Sequence, residues 1–300
     1  MSNTAIPDNV PGMSRPVALV TDSTASLSVE VAESRGITVV PLQVVIGASV
    51  YEEGGDGGAT PETVAEALRT FTPVSTSRPT PAAMLAAYEK AAAGGASEVV
   101  SIHLSGDLSG TFESAQLAAR DAPIPVTAVD SRHLGMATGF SVLSAADVLD
   151  AGGSAADAAA VARRRSGATR SLFYVDTLEY LRRGGRIGHA AALLGSALAV
   201  KPLLALEDGR VHSLEKVRTS GRALARLEEL AAEAAGNRQV DVAVAHLANA
   251  ERAESLAADL RERLASNLGA RELVVGEVGA VIGAHVGPGM VAVVVAPLPD

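Results

Sequence analysis

The chain has 300 residues, 48% of them hydrophobic and 3% aromatic, enough to bury the core of one large or two ordinary domains and too apolar for a disordered polymer. Lys and Arg number 25 against 34 Asp and Glu, a net charge of −9, which argues against nucleic acid as a partner because duplex binding needs a basic face. Cysteine is absent, so disulfides, thiolate nucleophiles and cysteine metal sites are excluded, and a reducing, cytoplasmic home is compatible.

Met1–Ser14 is polar, contains Pro7 and Pro11 and lacks the apolar core of a signal peptide; it is expected to be a disordered tail. Val17–Val20 reads as a buried strand running into the hydroxyl-rich turn Thr21-Asp22-Ser23-Thr24-Ala25-Ser26, with a helix from Ser28 to Arg35 after it. Ile37–Val40 and Leu42–Ile46 read as strands separated by Pro41. Gly47–Ala59 holds Gly54-Gly55 and Gly57-Gly58 and is expected to be a loop, since glycine loses much entropy in a regular element. It belongs to a glycine-rich insertion over about residues 47–72. Thr60-Pro61 opens a helix that ends before Pro73, and Val74–Pro79 is a third hydroxyl-bearing turn. Thr80-Pro81 opens another helix, with Met84, Leu85, Tyr88 and Ala92 along one stripe. Val99–Leu104 is a buried strand, Ser105–Thr111 a turn and Phe112–Ala119 helical; Val126–Val129 is a strand with Asp130–His133 at its carboxyl end.

This alternation predicts an α/β domain over residues 15–152, built on a doubly wound, mainly parallel sheet. Ligands of such sheets lie beyond the carboxyl ends of the strands, where Thr21–Thr24, Thr76, Ser105–Thr111 and Asp130–His133 would gather. Gly152-Gly153 marks the predicted boundary to an α+β domain over 153–300. That half holds an alanine-rich helix (Ser154–Arg165), a strand (Ser171–Val175) and a hairpin over Leu203–Val211 around Asp208-Gly209. A helix (Ser220–Ala235), a strand (Val240–Ala245) and a helix face of Leu256, Leu260, Leu264 and Leu268 follow. Two last strands, Leu273–Val278 and Met290–Ala296, flank Gly279–Gly289, of which Gly283–Gly289 reads as a glycine-rich loop. The most apolar stretch, Ala191–Leu206, is interrupted by Lys201 and Pro202, so no membrane span is expected, which leaves room for transient membrane contact only.

A strand, a hydroxyl- and glycine-rich turn and a helix start, as at Ser105–Thr111, make an anion site, because the first helical amides lack partners and the helix dipole adds positive charge there. Ser109 and Thr111 add hydroxyl donors. The turn has no Lys, no Arg and no phosphate-loop pattern, so a single carboxylate suits it better than a nucleotide; the alternative is that Ser109 only caps the helix. None of the six histidines forms an H-E-x-x-H frame, and no metal site is expected. His103, within a strand, reads as a packed core residue, whereas His285, in Gly283–Gly289, either meets a ligand or is a turn residue without a role. Arg182 and Arg183 suit a solvated helix end; Arg186, beyond Gly184-Gly185, is the stronger candidate for an oxyanion. Lys201 serves an anion or snorkels. A G-x-S-x-G elbow is missing, and Gly276–Gly283 does not spell a dinucleotide fingerprint.

Five motifs, in order along the chain, together resemble the DegV family: Thr21-Asp22-Ser23-Thr24, Thr76-Ser77-Arg78-Pro79, Leu108-Ser109-Gly110-Thr111, Leu178–Ile187 and Ile282–Gly289. Arg78 stands where glutamine is usual, and Gly106-Asp107 where Ser-Lys is more usual. The resemblance implies a two-domain protein with one long-chain fatty acid in a buried tunnel between the domains. It implies a carrier subunit without turnover of its own, which presents the carboxylate to a separate ATP-dependent fatty acid kinase; the acyl phosphate then enters phospholipid synthesis. Carried over by motif, Thr76 and Ser109 would hydrogen-bond the carboxylate, with Gly110 and Thr111 beside them and Thr24 as a further ligand-side residue. Arg186 and His285 would lie near the head group and support phosphoryl transfer or docking of the kinase. No cofactor is implied beyond the bound lipid. The alternatives are a partner-independent hydrolase or phosphotransferase using Ser109 and His285, and a lipid-sensing regulatory module.

Overall fold

The computed structural model describes residues 16–54, 57–193 and 201–299. The expected tail 1–14, residues 55–56 of the expected glycine loop and 194–200 of the apolar stretch lie outside the described residues. The chain opens with β1 (Val17–Asp22), in which Val17, Leu19 and Val20 are buried, and one turn of 3-10 helix (Ser23–Ala25) capped by the Asp22 carboxylate. Then come α1 (Val29–Ser34), β2 (Ile37–Val40), β3 (Gln43–Ile46) and β4 (Ser49–Glu52). Next are α2 (Pro61–Arg69), started by a Thr60–Thr63 capping box, β5 (Val74–Ser77) and α3 (Pro81–Ala93), capped by Thr80. The series β6 (Glu98–His103), α4 (Thr111–Asp121), β7 (Val126–Asp130), α5 (Met136–Asp150) and α6 (Ala155–Ala168) follows.

Strands β2-β1-β6-β7 form a four-stranded, fully parallel sheet with helices on both faces. Met84 and Tyr88 of α3 and Ala115 and Ala118 of α4 pack on one face with Val20, Val40 and Val99. The alanines of α6 and Val142, Ala145 and Ala146 of α5 cover the other with Leu19, Val100 and Ile102. The parallel sheet expected from the alternating pattern is therefore present. Gly152-Gly153 turns the chain between α5 and α6, two helices of one core.

Two segments read as non-regular are strands. Ser49–Glu52 pairs antiparallel with β3 after a turn at Gly47, and Val74–Ser77 pairs with β3 on its other side. The sequence pattern concealed them because both are only four residues long and lie among turn-forming residues, Gly47 and Gly54 around the first and Pro73 and Pro79 around the second. The resulting sheet, β4-β3-β5, is small and antiparallel.

The rest of the chain contains β8 (Arg170–Tyr174), α7 (Glu179–Arg183), a short 3-10 helix (Gly188–Leu193), β9 (Lys201–Glu207), β10 (Arg210–Val217) and α8 (Ser220–Ala235). It ends with β11 (Val240–His246), α9 (Ala250–Arg263), α10 (Ala265–Leu268), β12 (Val274–Glu277), α11 (Ala280–Val286) and β13 (Val291–Pro297). Its six strands run in the order β10-β9-β8-β13-β11-β12, antiparallel except for β11 with β12. This is the expected separate α+β half. One face of its sheet is sealed by Leu227 and Ala231 of α8 and Leu256 and Leu260 of α9. The other face looks toward the N-terminal half and carries α11. The expected loop over Gly283–Gly289 is corrected here: Ala280–Val286 is a helix, buried on nearly every side, and His285 sits in its last turn. Among the described residues no helix is long and apolar enough to cross a membrane.

Candidate ligand-binding site

A cavity of about 410 Å³ lies against the open face of the six-stranded sheet. Such a volume falls in the usual range for small-molecule sites. Most of its wall is apolar: Leu206, Val211, Ala243, Val244, Ala292 and Val294 of the sheet, Val281, Ile282 and Val286 of α11, and Met136 of α5. Polar groups gather where β5, the β6–α4 turn, the segment after α7 and the end of α11 meet. There Thr76, Ser109, Gly110, Arg186 and His285 reach the wall, with Arg78 beside them.

Thr76 lies in β5 and not in a turn, and its Oγ1 is 2.8 Å from His285 Nε2. Burial, reinforced by the charge of Arg186, pushes the His285 pKa down to about 4, so the imidazole is neutral at physiological pH. Its Nδ1 is buried and has no hydrogen-bond partner. That face of the ring lies on Gly184, where a Cβ would come within 2.2 Å of Nδ1. We assign the ring proton to Nε2, because an orphaned buried N–H is rarer than an orphaned acceptor. His285 then donates to Thr76 and leaves the Thr76 hydroxyl free to donate into the cavity.

Ser109 exchanges a hydrogen bond with Thr111 (Oγ to Oγ1, 2.9 Å) and accepts from the Thr111 amide at 3.3 Å. The N-cap of α4 is Gly110, which has no side chain with which to cap. Thr111 itself is fully buried and absent from the cavity wall; it supports Ser109 from behind. Thr24 reaches the wall, but it is buried and its hydroxyl donates to Asp22 at 2.5 Å. Asp22 in turn accepts from the Leu104 amide and meets His103 Nδ1 at 2.9 Å, while His103 Nε2 meets Ser101 at 2.6 Å. His103 is thus a bonded core residue.

Arg186 is half-buried and donates from Nε to the Leu108 carbonyl (2.9 Å) and from Nη1 to that of Gly184 (2.6 Å). It ties together the two turns that carry Ser109 and face His285. Arg78 lies across Gly110, where a Cβ would sit 1.9 Å from its Nη1, and pairs with Glu113 at 2.6 Å. Asp107, one of the two departures in the β6–α4 turn, accepts from both Nε and Nη2 of Arg210 at the β9–β10 hairpin. Arg182 and Arg183 pair with Glu179 at the surface, and Lys201 pairs with Asp176. From Asp130–His133, Asp130 accepts from the Gly106 amide, and His133 joins the Ser166 carbonyl and the Ser171 hydroxyl; both buttress the site without lining it.

Nothing in the sequence pattern pointed to Glu53. Its buried carboxylate accepts from the Val281 amide at 2.7 Å, in the first turn of α11, and burial raises its pKa. The helix has no side-chain cap of its own, so this distant residue supplies it. Among the described residues no cluster of three or more His, Cys, Asp or Glu is placed to hold a metal ion.

The chain as a whole is similar to known proteins. The family model described as "Uncharacterised protein, DegV family" matches residues 16–298. A DegV domain-containing protein of Streptomyces coelicolor is 54% identical over 94% of this chain and 99% of its own. A Thermus thermophilus structure, described as fatty acid binding of a DegV family protein, has a TM-score of 0.87 at 34% identity, covering 94% of this chain and 99% of that one. Bacillus subtilis DegV, described as a fatty acid binding protein, has a TM-score of 0.85 at 33% identity with the same coverage.

Proposed function

The chain belongs to the DegV family, and from that premise we propose that it holds one long-chain fatty acid in the cavity and presents the carboxylate to a separate ATP-dependent kinase. The observation that carries this reading is an apolar cavity that ends at uncharged hydroxyls: Thr76 held by neutral His285, and Ser109 held by Thr111. The printed descriptions of the Thermus and Bacillus relatives as fatty acid binders support it.

Burying about 15 methylenes contributes roughly 12 kcal/mol at ~0.8 each. Lost translational and rotational freedom costs about 4–15 kcal/mol. The tail therefore supplies most of the affinity and the hydroxyls fix the head. Thr76 and Ser109 are half-buried, so a carboxylate bound between them lies close to the surface and within a partner's reach. In the transfer, a carboxylate oxygen attacks the γ-phosphorus of ATP held by the kinase. The bond to the leaving ADP breaks, and an acyl phosphate remains on this chain. Arg186 positions the two turns that flank the head group and adds positive charge beside the developing phosphate. On this reading the protein works in the cytoplasm, with the ATP.

The hydrolase alternative lacks support, since Ser109 is bonded to Thr111 and His285 to Thr76. The Ser101–His103–Asp22 chain is wholly buried. The test is acyl phosphate formation by a fatty acid kinase given the loaded protein. Arg186→Ala and His285→Ala are expected to keep the lipid and lose phosphorylation. Turnover of an ester by this chain alone, with no kinase, would contradict the reading.

A further inference from the structure

The crevice that holds the cavity continues beyond it. Side chains two apart share a strand face and those four apart share a helix face, so its course can be followed by register. On β11 the cavity meets Ala243, and Asp241, the preceding residue on that face, lines a second cleft of about 520 Å³. On β13 the cavity meets Val294, and two further steps along the same face lead through Ala296 to Leu298 in the cleft. On α5 the cavity meets Met136, and Phe140, one turn on, belongs to the cleft. Val274 of β12 borders both. The two hollows lie end to end between the same elements.

A small apolar plug separates them: Ala137, Phe140, Ala243, Val294 and Ala296, with Met136 and Leu143 against it. Phe140 is its one aromatic ring and is 6% exposed. Behind the ring the cleft is lined by Leu143, Val148, Val161, Val274 and Leu298, with the Arg35–Asp147 pair and Glu272 beside them and a charged floor. That floor is Arg165, 1% exposed and paired with Asp241, with Arg271 3.4 Å from the same carboxylate. The Arg165 guanidinium carbon lies 5.9 Å from the centre of the Phe140 ring.

We infer that Phe140 is the chain-length stop of the acyl site. The cleft behind it has an apolar part, walled by Leu143, Val148, Val161, Val274 and Leu298, that a longer chain enters only when the ring is displaced. The inference rests on the fatty-acid reading of the cavity and deepens it. Each added methylene that finds apolar space tightens binding about fourfold. A chain that reaches the ring must either displace it or fold back on itself, so affinity stops rising there. The charged floor ends the additional space, because a methyl group laid on the Arg165–Asp241 pair would desolvate it.

The test is binding of a homologous series of saturated fatty acids to the delipidated full chain, lengthened two carbons at a time. Wild-type affinity is expected to rise with length and then level off. Phe140→Ala should carry the rise at least two carbons further, and Phe140→Leu, a milder change for the fold, should shift it the same way. Ala243→Leu, which narrows the cavity from the near side, should bring the limit to shorter chains. The same limit in all four proteins overturns the stop while leaving the fatty-acid reading intact. A wild-type protein that binds no chain of any length overturns both.

Discussion

Both guanidinium groups at the polar end of the cavity are already occupied within the protein. Arg186 is bound to two backbone carbonyls, and Arg78 to Gly110 and Glu113. The hydroxyls of Thr76 and Ser109 are left to grip a carboxylate, each oriented by a partner behind it. Ser109→Ala is therefore expected to weaken fatty-acid binding by about 1–3 kcal/mol, the cost of leaving a partly buried charged acceptor short of a donor. Calorimetry on delipidated protein measures this directly, and unchanged affinity would place the head group elsewhere. Thr76, Ser109, Arg186 and His285 were legible because each belongs to a short motif of hydroxyls, glycines or cations. What they do was not. The neutrality of His285 comes from burial against Gly184, and the support that Thr111 gives Ser109 depends on its facing away from the cavity.

At the scale of elements, the long apolar runs announced β1, β6, β8, β11 and β13, and threonine-proline starts announced α2 and α3. Elements whose stability comes from tertiary contacts were hidden. Helix α11 has seven residues, one glycine within it and glycines at both ends, a composition that reads as a loop. It persists because Val281, Ile282 and Val286 are buried and because Glu53 satisfies an amide at its start. A contact between residues 53 and 281 leaves no trace in local sequence. Glu53→Ala is expected to destabilise the protein by about 1–2 kcal/mol, as loss of a helix cap does. It should also raise amide exchange across Ala280–Val286, which holds His285. Hydrogen exchange read residue by residue checks this; protection unchanged at Ile282 and His285 would remove Glu53 from the account.

For the molecule as a whole, the two halves are joined by polar contacts: Arg165 with Asp241 in the second cleft, and Arg210 with Asp107 and Ser105 with the Gly209 carbonyl at the β9–β10 hairpin. His133 adds a link from α6 to β8, and burial pushes its pKa down to about 4, as for His285. Both rings resist protonation in the folded state, whereas the unfolded chain takes up protons near pH 6.5. Stability from these groups is complete above that value and is lost as pH falls toward 4, each adding a slope of about 1.4 kcal/mol per pH unit. Glu53, with its raised pKa, works in the opposite sense: its contribution is fullest at low pH and declines as pH rises. Urea unfolding in steps across this range should show a net loss of stability on acidification. His133→Asn and His285→Asn should each flatten the curve; a flat curve in the wild type would contradict the assignment.

The central claim is that neutral donors hold an acid whose hydrocarbon chain lies within the protein. Denaturing extraction of the purified chain, followed by mass spectrometry of the released material, tests it most directly. The account predicts a long-chain fatty acid approaching one per chain, reduced in the Thr76→Ala, Ser109→Ala double variant. A wild-type protein that releases no lipid and takes up none when fatty acid is supplied would contradict it.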